Sequence, residues 1–81
     1  MKVRIKFFAA LREGIGRTEV EQELPAGATV QDLMDSLAEQ HPALRTHTAF
    51  IRIAVNRQYA SLQTGLHEGD EVALVPPVGG G

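Results

Sequence analysis

An 81-residue chain with 43% hydrophobic residues fits one small domain with a compact core, and is too apolar for disorder. Its net charge of -2 gives no basic footprint for nucleic acid, and its apolar runs fall short of the roughly 18 residues of a membrane span. With no cysteine it has no disulfide, no thiolate metal site and no thiol nucleophile, so packing alone holds the fold.

Lys2, Arg4 and Lys6 alternate with Val3, Ile5 and Phe7, the period of a half-buried strand. The same alternation rules out the uninterrupted apolar core of a signal peptide, so a cytoplasmic location is expected. Phe8 breaks the pattern and falls on the charged face. Ala9 to Glu13 suggests a short helical turn that Gly14-Ile15-Gly16 stops, with Leu11 and Ile15 as plugs for one end of the core. Thr18 to Leu24 reads as a second strand, with Thr18, Val20, Gln22 and Leu24 on one face, close enough to the first for a hairpin.

Pro25-Ala26-Gly27-Ala28 is a turn, and Thr29 with Asp32 three residues on makes a near capping box for a helix. Val30, Leu33, Met34 and Leu37 form one apolar stripe along it. His41-Pro42 ends it, because a residue before proline is pushed out of the α region. Residues 43 to 49 carry no clear pattern. Phe50 to Val55 reads as a third strand, Asn56-Arg57-Gln58 as a turn into Tyr59, and residues 61 to 66 as loop with a short helical turn. His67 to Asp70 turns the chain into a last strand, Glu71 to Val75, which Pro76-Pro77 closes.

The order strand, strand, helix, strand, strand predicts an α+β fold of the β-grasp or ubiquitin-like type: a mixed sheet with one main amphipathic helix packed on one face. Its first and last strands lie parallel at the centre. Val3, Ile5, Phe7, Val20, Leu33, Leu37 and Ile53 are the expected helix-side residues. Residues 1–75 form the domain, and residues 76–81 form a flexible Pro/Gly tail that spans roughly 20 Å when extended.

Few residues point to chemistry within the body. The chain has no phosphate-binding glycine loop of the P-loop type, and Gly14-Ile15-Gly16 is a lone G-x-G that reads as a turn. His41, His47 and His67 lack metal-ligand spacing and read as surface histidines. Ser36 and Ser61 sit in no nucleophile motif, and no carboxylate pair is marked out for acid–base work. The body is therefore expected to catalyse nothing alone and to bind no metal or cofactor. The tail differs. Gly79-Gly80-Gly81 follows directly from the last strand, and glycine, lacking a Cβ, threads narrow channels. The Gly81 α-carboxylate is the best candidate for a reacting group.

Three segments carry a resemblance. They are Phe7-Phe8-Ala9 with Leu11-Arg12-Glu13 and Gly16; Val55-Asn56 followed by Gln58; and Gly69-Asp70-Glu71-Val72-Ala73 leading through Pro76-Pro77-Val78 to Gly80-Gly81. Together they resemble the ubiquitin-like sulfur carriers, most closely the small-subunit family of molybdopterin synthase (MoaD type). Gly79 stands where relatives often have alanine or serine, and Val75 where they often have an aromatic residue.

The resemblance implies a chemistry. An E1-like adenylyltransferase uses ATP and Mg to adenylate Gly81, and a sulfur donor protein converts the adenylate into a thiocarboxylate. The tail, through Val78, Gly79 and Gly80, then inserts into the large subunit of molybdopterin synthase and delivers sulfur for molybdenum cofactor biosynthesis. The resemblance also implies a partner-binding apolar patch of Phe8, Tyr59 and Val75. Arg4, Lys6 and Arg52 flank it, either to pair with acids on a partner or as a solvated face. Two alternatives remain open: a sulfur carrier for thiazole, tRNA thiolation or cysteine synthesis, and a ubiquitin-like protein modifier.

Overall fold

A computed structural model describes residues 1–8, 10–42, 44 and 51–75. The first strand, β1 (Lys2–Phe7), alternates exposed cations with buried Val3, Ile5 and Phe7 as its period requires. A short helix, α1 (Ala10–Ile15), follows, and then β2 (Glu19–Glu23), antiparallel to β1 with Ile5 opposite Val20. The helix runs through Gly14 rather than stopping there. It ends at Gly16, whose φ of 81° lies in the left-handed region that glycine enters without steric cost.

The main helix, α2 (Val30–Gln40), starts where the sequence places it. Thr29 Oγ1 accepts from the Asp32 amide, and the Asp32 carboxylate accepts from the Thr29 amide at 2.9 Å, so aspartate completes the capping box. The amides of Val30 and Gln31 would be orphans of the first turn. They donate instead to the carbonyls of Thr64 and Leu62, both at 2.9 Å. Residues 61–66 are thus a loop, as the sequence suggests, with one turn closed by the Thr64 amide on the Ser61 carbonyl; it forms a strap across the helix start, joined by a bridge between Thr29 and Gly65. The His41 amide donates to the Leu37 carbonyl and closes the C-terminal end.

The chain returns as β3 (Arg52–Val55) and a two-residue β4 (Gln58–Tyr59), and ends as β5 (Glu71–Val75). The sheet order is β2-β1-β5-β3-β4, with β5 parallel to β1 and antiparallel to β3. This is the β-grasp arrangement, with the short helical turn expected after the first strand present as α1 and the two-residue β4 added to the elements expected. The predicted start of the third strand at Phe50 lies outside the described residues.

The stripe Val30, Leu33, Met34 and Leu37 packs on the sheet among Val3, Ile5, Phe7, Ile53, Val72 and Leu74. Among the described residues no charged or polar side chain is buried in this core. Val20, expected inside, is only partly buried because it lies on the edge strand β2. His41 is half-buried, edge-on to Phe7 at 6.2 Å between ring centroids, so it is more than a surface histidine. His67 is exposed, and His47 lies outside the described residues.

Candidate docking face and root of the tail

Only one face of the sheet carries a helix, and the register fixes what the other face shows. Residues paired across a ladder share a face. Arg52 pairs with Val75, Ala54 with Ala73, and Ala54 with Tyr59. On the other side of β5, Lys6 pairs with Ala73 and Arg4 with Glu71. Val75, Arg52 and Tyr59 therefore share the helix-free face. Phe8 follows Phe7, the partner of Leu74, at the same end of the sheet as Val75. It lines a shallow depression of about 290 Å³ with Lys6, Arg12, Thr18 and Glu19. The fold brings the three patch residues of the sequence onto one surface, around a floor of small residues, Ala54 and Ala73.

Each exposed aromatic has a local cause. Phe8 is the first residue past β1, and its carbonyl accepts from the Leu11 amide as α1 begins, which leaves the side chain 43% exposed. Tyr59, 76% exposed, is set by a tight hairpin in which Asn56 and Arg57 both take positive φ, 50° and 70°. Asn56 holds that strained geometry by three bonds: its side chain donates to Asp70 at 2.9 Å and accepts from the Glu71 amide at 3.0 Å, and its own amide donates to the Glu71 carbonyl at 2.8 Å. The hairpin that presents Tyr59 is thereby tied to the start of β5.

The charges on this face divide in two. Arg4 and Lys6 both reach Glu71, at 3.7 and 3.4 Å, and face Glu21 and Glu19 across β2. They are already paired within the chain. Arg52 differs. Its guanidinium stands 6.0 Å from the centroid of the Tyr59 ring, in cation–π range, and among the described residues it forms no salt bridge. Sequence reasoning missed Glu71 as the shared acceptor; its position at the head of a strand parallel to β1 was the available signal.

The tail root is fixed by topology. β5 has a neighbour on each side, so Val75, its last residue, is held in the middle of the sheet. Val78, Gly79, Gly80 and Gly81 lie outside the described residues. Among the described residues no cluster of metal-binding side chains occurs, and no helix is long and apolar enough to cross a membrane.

The ThiS family model matches residues 5–81. The chain is 42% identical over 82 residues to the molybdopterin synthase sulfur carrier subunit of Mycobacterium tuberculosis, a match that covers 100% of this chain and 99% of that one. The crystal structure of SAMP1 from Haloferax volcanii superposes with a TM-score of 0.91 at 35% identity, with 100% of both chains covered. A complex of subunits 1 and 2 of molybdopterin-converting factor from Helicobacter pylori contains a chain that matches with a TM-score of 0.74 at 26% identity, again over 100% of both. A family match across nearly the whole sequence and this level of full-length identity establish that the chain belongs to the ThiS family.

Proposed function

We propose that this chain is a sulfur carrier, the small subunit of molybdopterin synthase, with Gly81 as its reacting residue. The observation that carries the reading is the placement of the last strand. β5 is clamped between β1 and β3 and ends at Val75, on the face that exposes Phe8 and Tyr59, and Pro76 to Gly81 follow it in the sequence. A partner that docks on Phe8, Tyr59 and Val75 has the tail root beside it. The full-length likeness to proteins named as sulfur carrier subunits supports the same reading.

The chemistry follows from the weakness of a carboxylate as an acyl donor, since its leaving group would be oxide. An E1-like adenylyltransferase, which binds ATP and Mg, joins the Gly81 carboxylate to AMP and releases pyrophosphate. The terminal sulfur of the donor's persulfide then attacks the acyl carbon and AMP departs, and a thiol reduces the resulting acyl disulfide, leaving a thiocarboxylate. Glycine at the acyl position leaves room for the partner's groups to close around it. The tail enters the large subunit, its thiocarboxylate sulfur bonds to a pterin carbon, and water then cleaves the acyl–sulfur bond, so the sulfur stays on the pterin and the tail returns as a carboxylate. Two loaded copies supply the two sulfurs of one dithiolene. All of these steps belong to the cytoplasm.

The test is intact-mass measurement after incubation with the adenylyltransferase, ATP and a sulfur donor. The unaltered chain should gain the mass difference of one oxygen replaced by sulfur, and a chain lacking Gly81 should gain nothing while keeping its fold. A protein that binds the activating enzyme yet never acquires sulfur contradicts the proposal.

A second reading has its own support, because the chain is also 37% identical to small archaeal modifier protein 1 of Haloferax volcanii. An activated Gly81 could pass to a lysine amine instead of to sulfur. Extracts probed for this chain would then show a ladder of higher-mass adducts, whereas a pure sulfur carrier runs as one free band. Pull-down separates the molybdopterin route from thiazole, tRNA thiolation or cysteine synthesis by which enzyme is retained.

A further inference from the structure

The two edges of the sheet meet α2 differently. At the β2 edge the gap is closed by side chains: Gln22 donates to Ser36 at 3.1 Å, and Gln40 donates to both Gln22 and Ser36. At the opposite edge a groove of about 660 Å³ stays open between α2 and β3. Met34 and Ala38 form its helix wall, Ile51 and Ile53 its strand wall, and Leu62 of the strap closes one end. Tyr59 and Arg52 form its lip.

Two further features say what kind of molecule fits. β3 outlasts its edge partner. The β4 pairing ends at the Ala60 amide on the Ile53 carbonyl, and the main chain of Ile51 has no hydrogen bond among the described residues. A strand edge without a partner among the described residues, beside an apolar groove, suits an extended peptide, which pairs its backbone with the edge and places alternate side chains in the groove. The charges then set its sequence. Arg52, without a carboxylate partner among the described residues, stands at the lip of the groove on the strand side, its guanidinium over the Tyr59 ring. Asp35, whose carboxylate accepts from Gln31 at 2.9 Å, faces the groove from the helix side. A carboxylate is favoured at the strand wall and repelled at the helix wall.

We propose that this groove is a second docking site for the protein that receives the tail. It takes an extended segment of that partner, with an apolar side chain between Met34 and Ile51 and a neighbouring Asp or Glu on Arg52. The inference rests on the carrier reading above. The groove is continuous with the apolar patch through Tyr59 and Arg52, so one partner engages both. Its contribution is orientation: contact at the edge of β3, the strand paired with β5, fixes the angle at which the partner meets the tail root.

The test measures affinity for the large subunit of the synthase and, in the same complex, hydrogen exchange at the Ile51 amide. Arg52→Glu should weaken binding about tenfold or more, while Arg52→Lys stays within about threefold. Ala38→Trp, which fills the groove from a half-buried helix position, should weaken binding similarly. Arg4→Gln, on the charged half of the sheet, should leave it nearly unchanged. The Ile51 amide should become protected only in the complex. Native affinity in both Arg52→Glu and Ala38→Trp, or an Ile51 amide that exchanges as fast bound as free, overturns the inference. So does protection that grows with the concentration of the chain alone, which would seat a second copy in the groove. If the unaltered chain fails to bind the large subunit at all, the carrier reading falls and the groove assignment with it.

Discussion

The two faces of the sheet are built from alternate residues of the same strands and answer to different demands. On the helix side Val3, Ile5, Phe7, Val72 and Leu74 are buried with no polar atom among them. On the open side Arg4, Lys6, Glu71, Ala73, Val75 and Arg52 meet solvent, with Phe8 and Tyr59 at the margins. One residue along a strand separates a position that holds the fold from a position that meets a partner. Substitutions on the first face should therefore act on stability, and those of Phe8, Tyr59, Val75 and Arg52 on the second should act on recognition.

The sharpest break comes from the core. Leu37, fully buried, touches the sheet from the middle of α2, and Leu37→Ala should cost about 2–5 kcal/mol of stability in chemical denaturation. Asn56 is next, because its side chain ties the hairpin to β5 and its positive φ suits asparagine better than a residue with no polar group. Asn56→Ala should cost about 1–3 kcal/mol and disorder Tyr59, seen as lost dispersion of its ring signals by NMR. Thr29→Ala removes half the capping box and should cost about 1 kcal/mol, with little effect on partner affinity. The smallest effect belongs to Glu71→Gln. Its two ion pairs are surface contacts, so the unfolding midpoint should move by less than about 1 kcal/mol, and raising the salt should shrink the difference.

Much of the helix-covered face was legible in the sequence, because a core imposes a period. β1 alternates cleanly, α2 shows its stripe and its cap, and β5 is bracketed by Gly69-Asp70 and Pro76-Pro77. Where an element is too short for a period the reading stopped. β4 has two residues, and β2 carries Glu and Gln at positions where only partial burial is needed. The strap over residues 61–66 was invisible because its carbonyls, not its side chains, satisfy the helix. The open face was legible in its aromatics, since Phe8 breaks an alternation. Its charge pairing was not, because Glu71 meets Arg4 and Lys6 only through the parallel β1–β5 register. The groove lay furthest from view: Met34, Ile51 and Leu62 belong to three separate segments that only the fold assembles.

The division between the faces is tested most directly by one double substitution, Phe8→Ala with Tyr59→Ala, assayed for sulfur loading at Gly81. Both side chains are exposed, so the unfolding midpoint should stay within about 0.5 kcal/mol of the unaltered protein. The rate of thiocarboxylate formation at limiting concentration of the activating enzyme should fall about tenfold or more, as expected when aromatic anchors leave an interface. Loading at the unaltered rate in a protein of unaltered stability would contradict the account, because the open face would then be no docking surface for that enzyme.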